Sequence, residues 1–182
     1  MTGLELLQRG FVSFFDGLWW GLRDTVGALS MNEGYSRGFR QMGIETAERV
    51  GGSGPKEAAN IACDLLKAIG LDAQQNGTEI LISSCPLWDR ILERGLEYSL
   101  HIEEICWIPM LEGIAEKTGT KAFKDQSLRL AYVEKAGVEY KKKKAETARE
   151  KGFITDDDYN AQIASLDEKY KQIEEKGHYR FE

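Results

Sequence analysis

Apolar residues recur at spacings of three and four along the N-terminal part of the chain. This period predicts one long amphipathic helix, or two, over residues 1–33. Three charged residues interrupt the run before it reaches the roughly 18 apolar residues that a membrane-spanning helix needs. The polar positions also lack the basic excess of helices that lie on membranes, so we expect this segment to face the protein's own core or a protein partner. The apolar set is Leu4, Leu7, Phe11, Phe14, Phe15, Leu18, Trp19, Leu22, Val26 and Leu29.

Helical spacing continues after this segment, together with several glycines. Gly34 and Gly38 lie one turn apart, and Tyr35 and Phe39 follow them on the apolar side. Because glycine lowers helix stability, two on one face predict a close approach by another helix or by a flat ligand. A second apolar period predicts a buried helix over Pro55–Ile69.

The central stretch, residues 79–113, predicts a strand that turns directly into a helix. Residues 80–82 are aliphatic and β-branched, and a proline begins the helical pattern of residues 87–96. Cys85 therefore lies at the corner between the two elements. A further helix is predicted to begin near Glu97.

Residues 128–142 allow two interpretations. Leu128, Leu130 and Tyr132 alternate with other residues, which is typical of a strand, and Gly137 then turns the chain into a second strand over residues 138–142. At helical period, Leu128 and Tyr132 would instead share one face. The alternation and the glycine favour the β-hairpin.

The last segment, residues 145–182, is dense in balanced charge. Thr155 is followed three residues later by Asp158, a helix-capping pattern, and a narrow apolar stripe comes after it. Such a stripe is too narrow to build a core, so we expect a charged helical hairpin whose removal leaves the rest of the chain folded.

These elements together predict an α+β fold. We expect an antiparallel sheet with packed helices, preceded by a long N-terminal amphipathic helix and followed by a C-terminal helical hairpin. The corresponding segments are residues 1–33, 34–144 and 145–182.

Composition and charge narrow the function classes. The chain has 182 residues and a net charge of −6, with most of the acidic excess in residues 61–134. Nucleic-acid phosphates would be repelled by this acidic centre. The three cysteines of the chain form no CxxC pair, and no secretion signal is visible at the N-terminus. We therefore expect a reduced, cytoplasmic protein.

Candidate chemistry is concentrated between Cys85 and Cys106. Cys85, His101 and Cys106 would suit zinc or iron if they converge, with Glu103 and Glu104 close by along the chain. A cysteine–histidine pair would alternatively suit nucleophilic catalysis. A third interpretation is structural, with two buried cysteines beside a solvated acidic helix face.

Aromatic residues provide a candidate ligand pocket. The set comprises Tyr35, Phe39, Trp88, Tyr98 and Trp107, which could wall an apolar pocket near the cysteines. Aromatic residues at helical spacing can also simply form a core.

Five segments resemble the 4-vinyl-reductase-type small-molecule-binding domain. They are GYSRGF at 34–39, AIGL at 68–71, ILISSCP at 80–86, CWIPMLEG at 106–113 and LAYVEKAG at 130–137. The resemblance implies an antiparallel sheet with packed helices that binds hydrophobic or aromatic molecules, and in some members a structural zinc. Those members carry cysteines after a glutamate, whereas Glu134 is followed here by Lys-Ala-Gly, so that zinc site does not carry over.

Two further resemblances bear on function. The spacing of Cys85 and Cys106 is similar to that in a family named for 2-amino-thiazoline-4-carboxylate hydrolase, which implies an enzyme. The sequence GFITD at 152–156 resembles short C-terminal helical-hairpin modules of bacterial and archaeal proteins, which implies assembly or docking.

Three functional hypotheses follow. The first, which we favour, is a non-catalytic domain that binds a hydrophobic or planar small molecule between sheet and helices. The second is an accessory subunit that assembles as a homo-oligomer or with a protein partner. The third is a hydrolase-type enzyme that uses Cys85 or Cys106 with His101.

Overall fold

The protein folds around a four-stranded antiparallel sheet, as a computed structural model shows for residues 2–94 and 102–182. The strand order is β1-β2-β4-β3, and helices pack on the sheet, which confirms the predicted α+β class. The elements are α1 (Gly3–Val26), α2 (Ala28–Val50), α3 (Pro55–Ile69), β1 (Asp72–Asn76), β2 (Glu79–Ser84), α4 (Pro86–Arg94), a π-helical turn (Glu103–Trp107), α5 (Ile108–Thr118), β3 (Ala122–Gln126), α6 (Leu128–Glu150), α7 (Asp156–Gln172) and β4 (Gly177–Phe181).

The N-terminal apolar period forms a long helix, as predicted. Thr2 begins α1 with a capping box to Glu5, and α1 ends at Gly27, which has a positive φ of 84°. The following helix α2 continues through residue 33, and α6 continues through residue 144. Both predicted segment boundaries therefore fall inside helices.

The predicted close approach at a glycine occurs, but at a different glycine. An added Cβ at Gly34 or Gly38 would meet no atom within 4 Å. At Gly43 it would clash with the backbone carbonyl of Met110, and at Gly113 with the backbone carbonyl of Arg40. The close contact therefore joins α2 to α5, and the expectation for Gly34 and Gly38 was wrong.

The predicted hairpin over residues 128–142 is wrong, because these residues belong to helix α6. The Ser127 hydroxyl accepts a hydrogen bond from the backbone N–H of Leu130 and caps the helix. Leu128, Ala131 and Val138 are buried at helical spacing, whereas the side chain of Leu130 is 54% exposed. The apparent alternation therefore did not mark an inward-facing strand.

The helical hairpin at the C-terminus is present. Thr155 and Asp158 form the capping box of α7, and α7 packs against α6. Lys142 of α6 contacts α7 through an ion pair with Asp167, at 2.8 Å, and through the ring of Tyr170. Ion-pair and cation–π contacts, rather than a broad apolar face, therefore join the two helices of the hairpin.

The last strand, β4, corrects the expectation that residues 145–182 lie outside the core. It pairs with β2 on one side and with β3 on the other, so it is an interior strand of the sheet. Tyr179 and Phe181 are fully buried, while His178 and Arg180 alternate with them. The extreme C-terminus is therefore part of the core.

The main core lies where helices cover the sheet. Helix α3 packs on β1, β2 and β4, α5 contacts β3, and α2 packs along α5. Among the described residues, no helix is long and apolar enough to cross a membrane. Cys85 lies at the predicted corner between the end of β2 and the start of α4, where it lines a small cavity.

Candidate functional site

A small cavity lies between the sheet and the helices that surround Cys85. It holds about 20 Å³, which is room for about one water molecule. Cys85, Trp88 and Trp107, three of the predicted site residues, line it. The full lining is Leu71, Ile82, Cys85, Trp88, Ile102, Glu103, Trp107, Leu128, Arg129 and Tyr179.

Several segments that are far apart along the chain meet at this cavity. Strands β2 and β4 contribute Ile82 and Tyr179, and the strand-to-helix corner contributes Cys85 and Trp88. The π-helical turn brings Glu103 and Trp107 to the same side, and α6 begins at the opposite wall. Single π-helical turns are rare and occur frequently at functional sites.

Glu103 is a buried carboxylate, only 4% exposed, at the wall of the cavity. The Ser127 hydroxyl donates a hydrogen bond to it, and so does the backbone N–H of Arg129, at 3.3 Å. These donors belong to the first turn of α6, where a negative charge is favourable. The expectation of a solvated acidic face is therefore wrong for Glu103, whereas Glu104 beside it is exposed.

Two side chains that line the cavity carry a buried N–H donor without a hydrogen-bond partner in the part of the chain that the structure describes. They are Trp88, through Nε1, and Arg129, through Nε. Burial raises the pKa of the nearby Tyr179 well above its usual value, and the negative charge of Glu103 and a hydrogen bond to its carboxylate raise it further. The phenol is therefore neutral at physiological pH.

The two cysteines of the central stretch are buried thiols. Burial raises the pKa of Cys85 to about 12, although backbone N–H groups of Trp88 and Leu87 and the Trp107 side chain partly oppose the shift. Burial also raises the pKa of Cys106, and the neighbouring Cys85 adds to this effect. Both thiols are therefore protonated at neutral pH, whereas nucleophilic attack and metal ligation need the thiolate.

The predicted metal set cannot be assembled from the described residues alone. Within residues 2–94 and 102–182, no group of three histidine, cysteine, aspartate or glutamate side chains is placed to hold a metal ion. His101 and Tyr98 lie outside the described residues. The zinc or iron site at Cys85, His101 and Cys106 and the cysteine–histidine pair therefore stay predictions.

Tyr35 and Phe39, which were predicted to wall the pocket, do not line this cavity. They belong to an aromatic cluster between α1 and α2, in which the Tyr35 hydroxyl donates to the carbonyl oxygen of Phe15 at 3.1 Å. The ring of Phe39 meets that of Trp107 edge to face, with centroids 5.4 Å apart. Phe39 therefore supports a wall of the cavity from behind.

Sequence reasoning missed two of the polar residues on the cavity wall. Arg129 lay inside the segment interpreted as a hairpin, and Tyr179 lay in the tail that was expected outside the core. The alternation His178-Tyr179-Arg180-Phe181 was the available signal for a half-buried strand. It did not indicate which strands β4 would join.

Comparison with known proteins leaves the site as the main basis for assigning a function. No protein-family model matches this sequence, and no curated protein or solved structure is significantly similar to it. The resemblance to the 4-vinyl-reductase-type domain therefore stays a prediction.

Proposed function

We propose that this chain binds a small, largely apolar molecule in the cavity between its sheet and helices, without catalysing a reaction. The observation that carries the proposal is that two buried N–H donors without a described acceptor, on Trp88 and Arg129, belong to side chains that line one cavity. A buried polar atom without a partner costs about 1–3 kcal/mol, and native proteins leave few of them. An acceptor on a bound molecule would remove this cost for both donors.

The rest of the cavity wall suits an apolar, planar body. Ile82 and Leu128 offer aliphatic surface, and the indoles of Trp88 and Trp107 offer flat aromatic surface. The volume of the cavity, about 20 Å³, is far below the roughly 300–1,000 Å³ of drug-sized ligand sites. Binding of such a ligand therefore requires that side chains of the cavity wall move.

The chemistry of the wall supports binding rather than turnover. Cys85, the only thiol on the described wall, has a pKa of about 12 and is protonated at neutral pH. Glu103 is engaged by Ser127 and by the first turn of α6. We therefore assign no catalytic residue.

Toluene, a small apolar probe, tests the proposal by ligand-observed NMR on the full chain. We expect saturation transfer from the parent protein to toluene. Leu128→Phe should fill the cavity and abolish this transfer, whereas Leu130→Phe, on the exposed side of α6, should keep it. Circular dichroism checks that both variants fold. Equal binding by a folded Leu128→Phe variant would contradict the proposal, and so would failure of the parent to bind both toluene and its polar analogues.

A second candidate function, self-assembly, is favoured by the outer face of α1. Leu7 and Phe14 are 72% and 69% exposed, although both are large and apolar. Gly10 lies between Leu7 and Phe14 along the helix, and Gly17 follows Phe14. An added Cβ at either glycine would meet no atom within 4 Å, and each glycine costs about 0.5–1 kcal/mol of helix stability relative to alanine. If two copies of α1 pair antiparallel with Phe14 opposite Gly10, Leu7 falls opposite Gly17. Large side chains would then face glycines across the whole contact.

Light scattering after size-exclusion chromatography tests this assembly. Phe14→Glu should convert a dimer of the chain to a monomer, because it places a charge at the centre of the paired helices. Phe153→Glu is the matched control, since Phe153 is 78% exposed in the connection between α6 and α7. A monomeric parent protein, or a dimer that survives Phe14→Glu, would exclude this interface.

A further inference from the structure

The unpartnered atoms at the cavity define which chemical group enters it. Nε1–H of Trp88 and Nε–H of Arg129 can only donate hydrogen bonds. Both nitrogen atoms are buried and meet no acceptor among the described residues. A bound group that satisfies them must therefore present an acceptor, and a pure hydrocarbon would leave both donors unpaired.

The hydroxyl of Tyr179 adds a position that can receive a proton donor. Glu103 lines the same cavity as Tyr179, and its carboxylate is the hydrogen-bond partner of this hydroxyl. A carboxylate only accepts hydrogen bonds, so the phenolic proton is drawn toward Glu103 and the phenolic oxygen keeps its lone pairs for another donor. The cavity thus offers two donors and one acceptor.

The charges around the cavity disfavour an anionic ligand. Glu103 is buried and its described hydrogen-bond donors, Ser127 and the Arg129 backbone, are uncharged. The Arg129 guanidinium is already paired with Glu104, with Nη1 and Oε1 at 3.4 Å. A carboxylate ligand would therefore bring a second negative charge next to Glu103, where little water screens the repulsion.

We infer that the ligand enters the cavity with a neutral carbonyl group, and that a primary carboxamide on a planar apolar body fits best. Its carbonyl oxygen would accept from Trp88 and Arg129, and its amide N–H would donate to the oxygen of Tyr179. This inference rests on the proposed small-molecule binding and specifies its ligand class.

Three probes of similar shape separate the alternatives. Benzamide carries the neutral amide, benzoate carries the anion, and toluene carries neither. We expect the full chain to bind benzamide about tenfold more tightly than toluene, from the net gain of hydrogen bonds to buried donors, and more tightly than benzoate. Dissociation constants come from ligand-observed NMR titrations at one pH near neutrality.

Two conservative variants test the named contacts. Trp88→Phe removes the indole N–H, and Tyr179→Phe removes only the hydroxyl. Each should lower the ratio of benzamide affinity to toluene affinity about fivefold to tenfold, because the lost hydrogen bond serves benzamide alone. Trp19→Phe is the control, because Trp19 also has a buried indole N–H without a partner but does not line the cavity. If Trp88→Phe does not fold, Tyr179→Phe decides, since it keeps the buried ring.

The outcomes separate this inference from the proposed function. If toluene binds as tightly as benzamide, or benzoate binds more tightly than both, the carbonyl inference is overturned while small-molecule binding stands. If Tyr179→Phe and Trp88→Phe leave the preference for benzamide intact, the assigned contacts are wrong. If none of the three probes binds, the proposed function itself is refuted.

Discussion

Replacing Gly43 with alanine tests the closest helix contact in the protein. An added Cβ would clash with the carbonyl oxygen of Met110 and would lie 3.0 Å from its carbonyl carbon and 3.2 Å from the backbone nitrogen of Ile114. These atoms belong to the backbone of α5, so no side-chain rotation can relieve the clash. Helices α2 and α5 would have to separate by about 1 Å, which forfeits part of the dispersion energy along their contact.

The magnitude follows from two opposing terms. Overpacking in a close-packed interior costs about 1–3 kcal/mol, and a clash between backbones belongs near the upper end. Alanine recovers about 0.5–1 kcal/mol through its higher helix propensity. We therefore expect Gly43→Ala to lower the free energy of unfolding by about 2 kcal/mol, which corresponds to a fall in Tm of about 4–8 °C for a chain of this size.

Urea unfolding followed by circular dichroism measures this loss. Gly38→Ala is the matched control, because it lies on the same helix with no atom within 4 Å of the added Cβ. It should raise the free energy of unfolding by about 0.5–1 kcal/mol. If Gly43→Ala is as stable as Gly38→Ala, the close contact between α2 and α5 is not present in solution.

Three more predictions address the core and the cavity wall. Deleting residues 177–182 should abolish cooperative urea unfolding, because β4 joins β2 to β3; a truncated chain that still unfolds cooperatively would place β4 outside the core. Above pH 9 the free energy of unfolding should fall by up to about 1.4 kcal/mol per pH unit for each buried thiol. The reason is that Cys85 has a pKa of 9.0 in the unfolded chain, whereas burial raises its pKa in the folded protein to about 12. The full contribution of these thiols to the free energy of unfolding is therefore present below pH 9. The double variant Cys85→Ala/Cys106→Ala should lose less free energy of unfolding between pH 8 and pH 11 than the parent protein. An unchanged pH dependence would contradict the burial of these thiols. Glu103→Gln should lower the free energy of unfolding in urea by about 1–3 kcal/mol, because it weakens the hydrogen bonds to the first turn of α6. The control Glu104→Gln, at an exposed position, should lower it by less than about 1 kcal/mol. Equal losses in the two variants would argue against a structural role for the buried carboxylate.

Elements with a strong local signal followed directly from the sequence. The apolar period of α1, the apolar helix Pro55–Ile69 and the short aliphatic strand before Cys85 all appear as predicted. The capping pattern of Thr155 and Asp158 also marks the start of α7. In each case the decisive interactions lie within a few residues of one another, so composition and spacing carry them.

The interpretation of residues 128–142 failed because two periods fit the same apolar residues. Leu128 and Tyr132 satisfy both a strand and a helix, and a glycine such as Gly137 is typical of a turn. The structure decides through packing, since Ser127 caps the helix and Val138 is buried further along the same helix. Gly137 lies within this helix with open space around it.

The candidate site divides in the same way between local pattern and tertiary structure. Cys85, Trp88 and Trp107 were expected near a pocket because they lie in the same central stretch, residues 79–113, and all three line the cavity. Tyr179 reaches the same cavity only because β4 inserts between β2 and β3, and Arg129 only because the first turn of α6 is hydrogen-bonded to Glu103. Strand pairing joins backbone groups that are far apart along the chain, and any short alternating segment can form such bonds equally well. The sequence by itself therefore determined the elements with a strong local signal and three residues of the cavity wall, whereas the tertiary structure decided the position of β4, the start of α6 and the polar residues that complete the cavity.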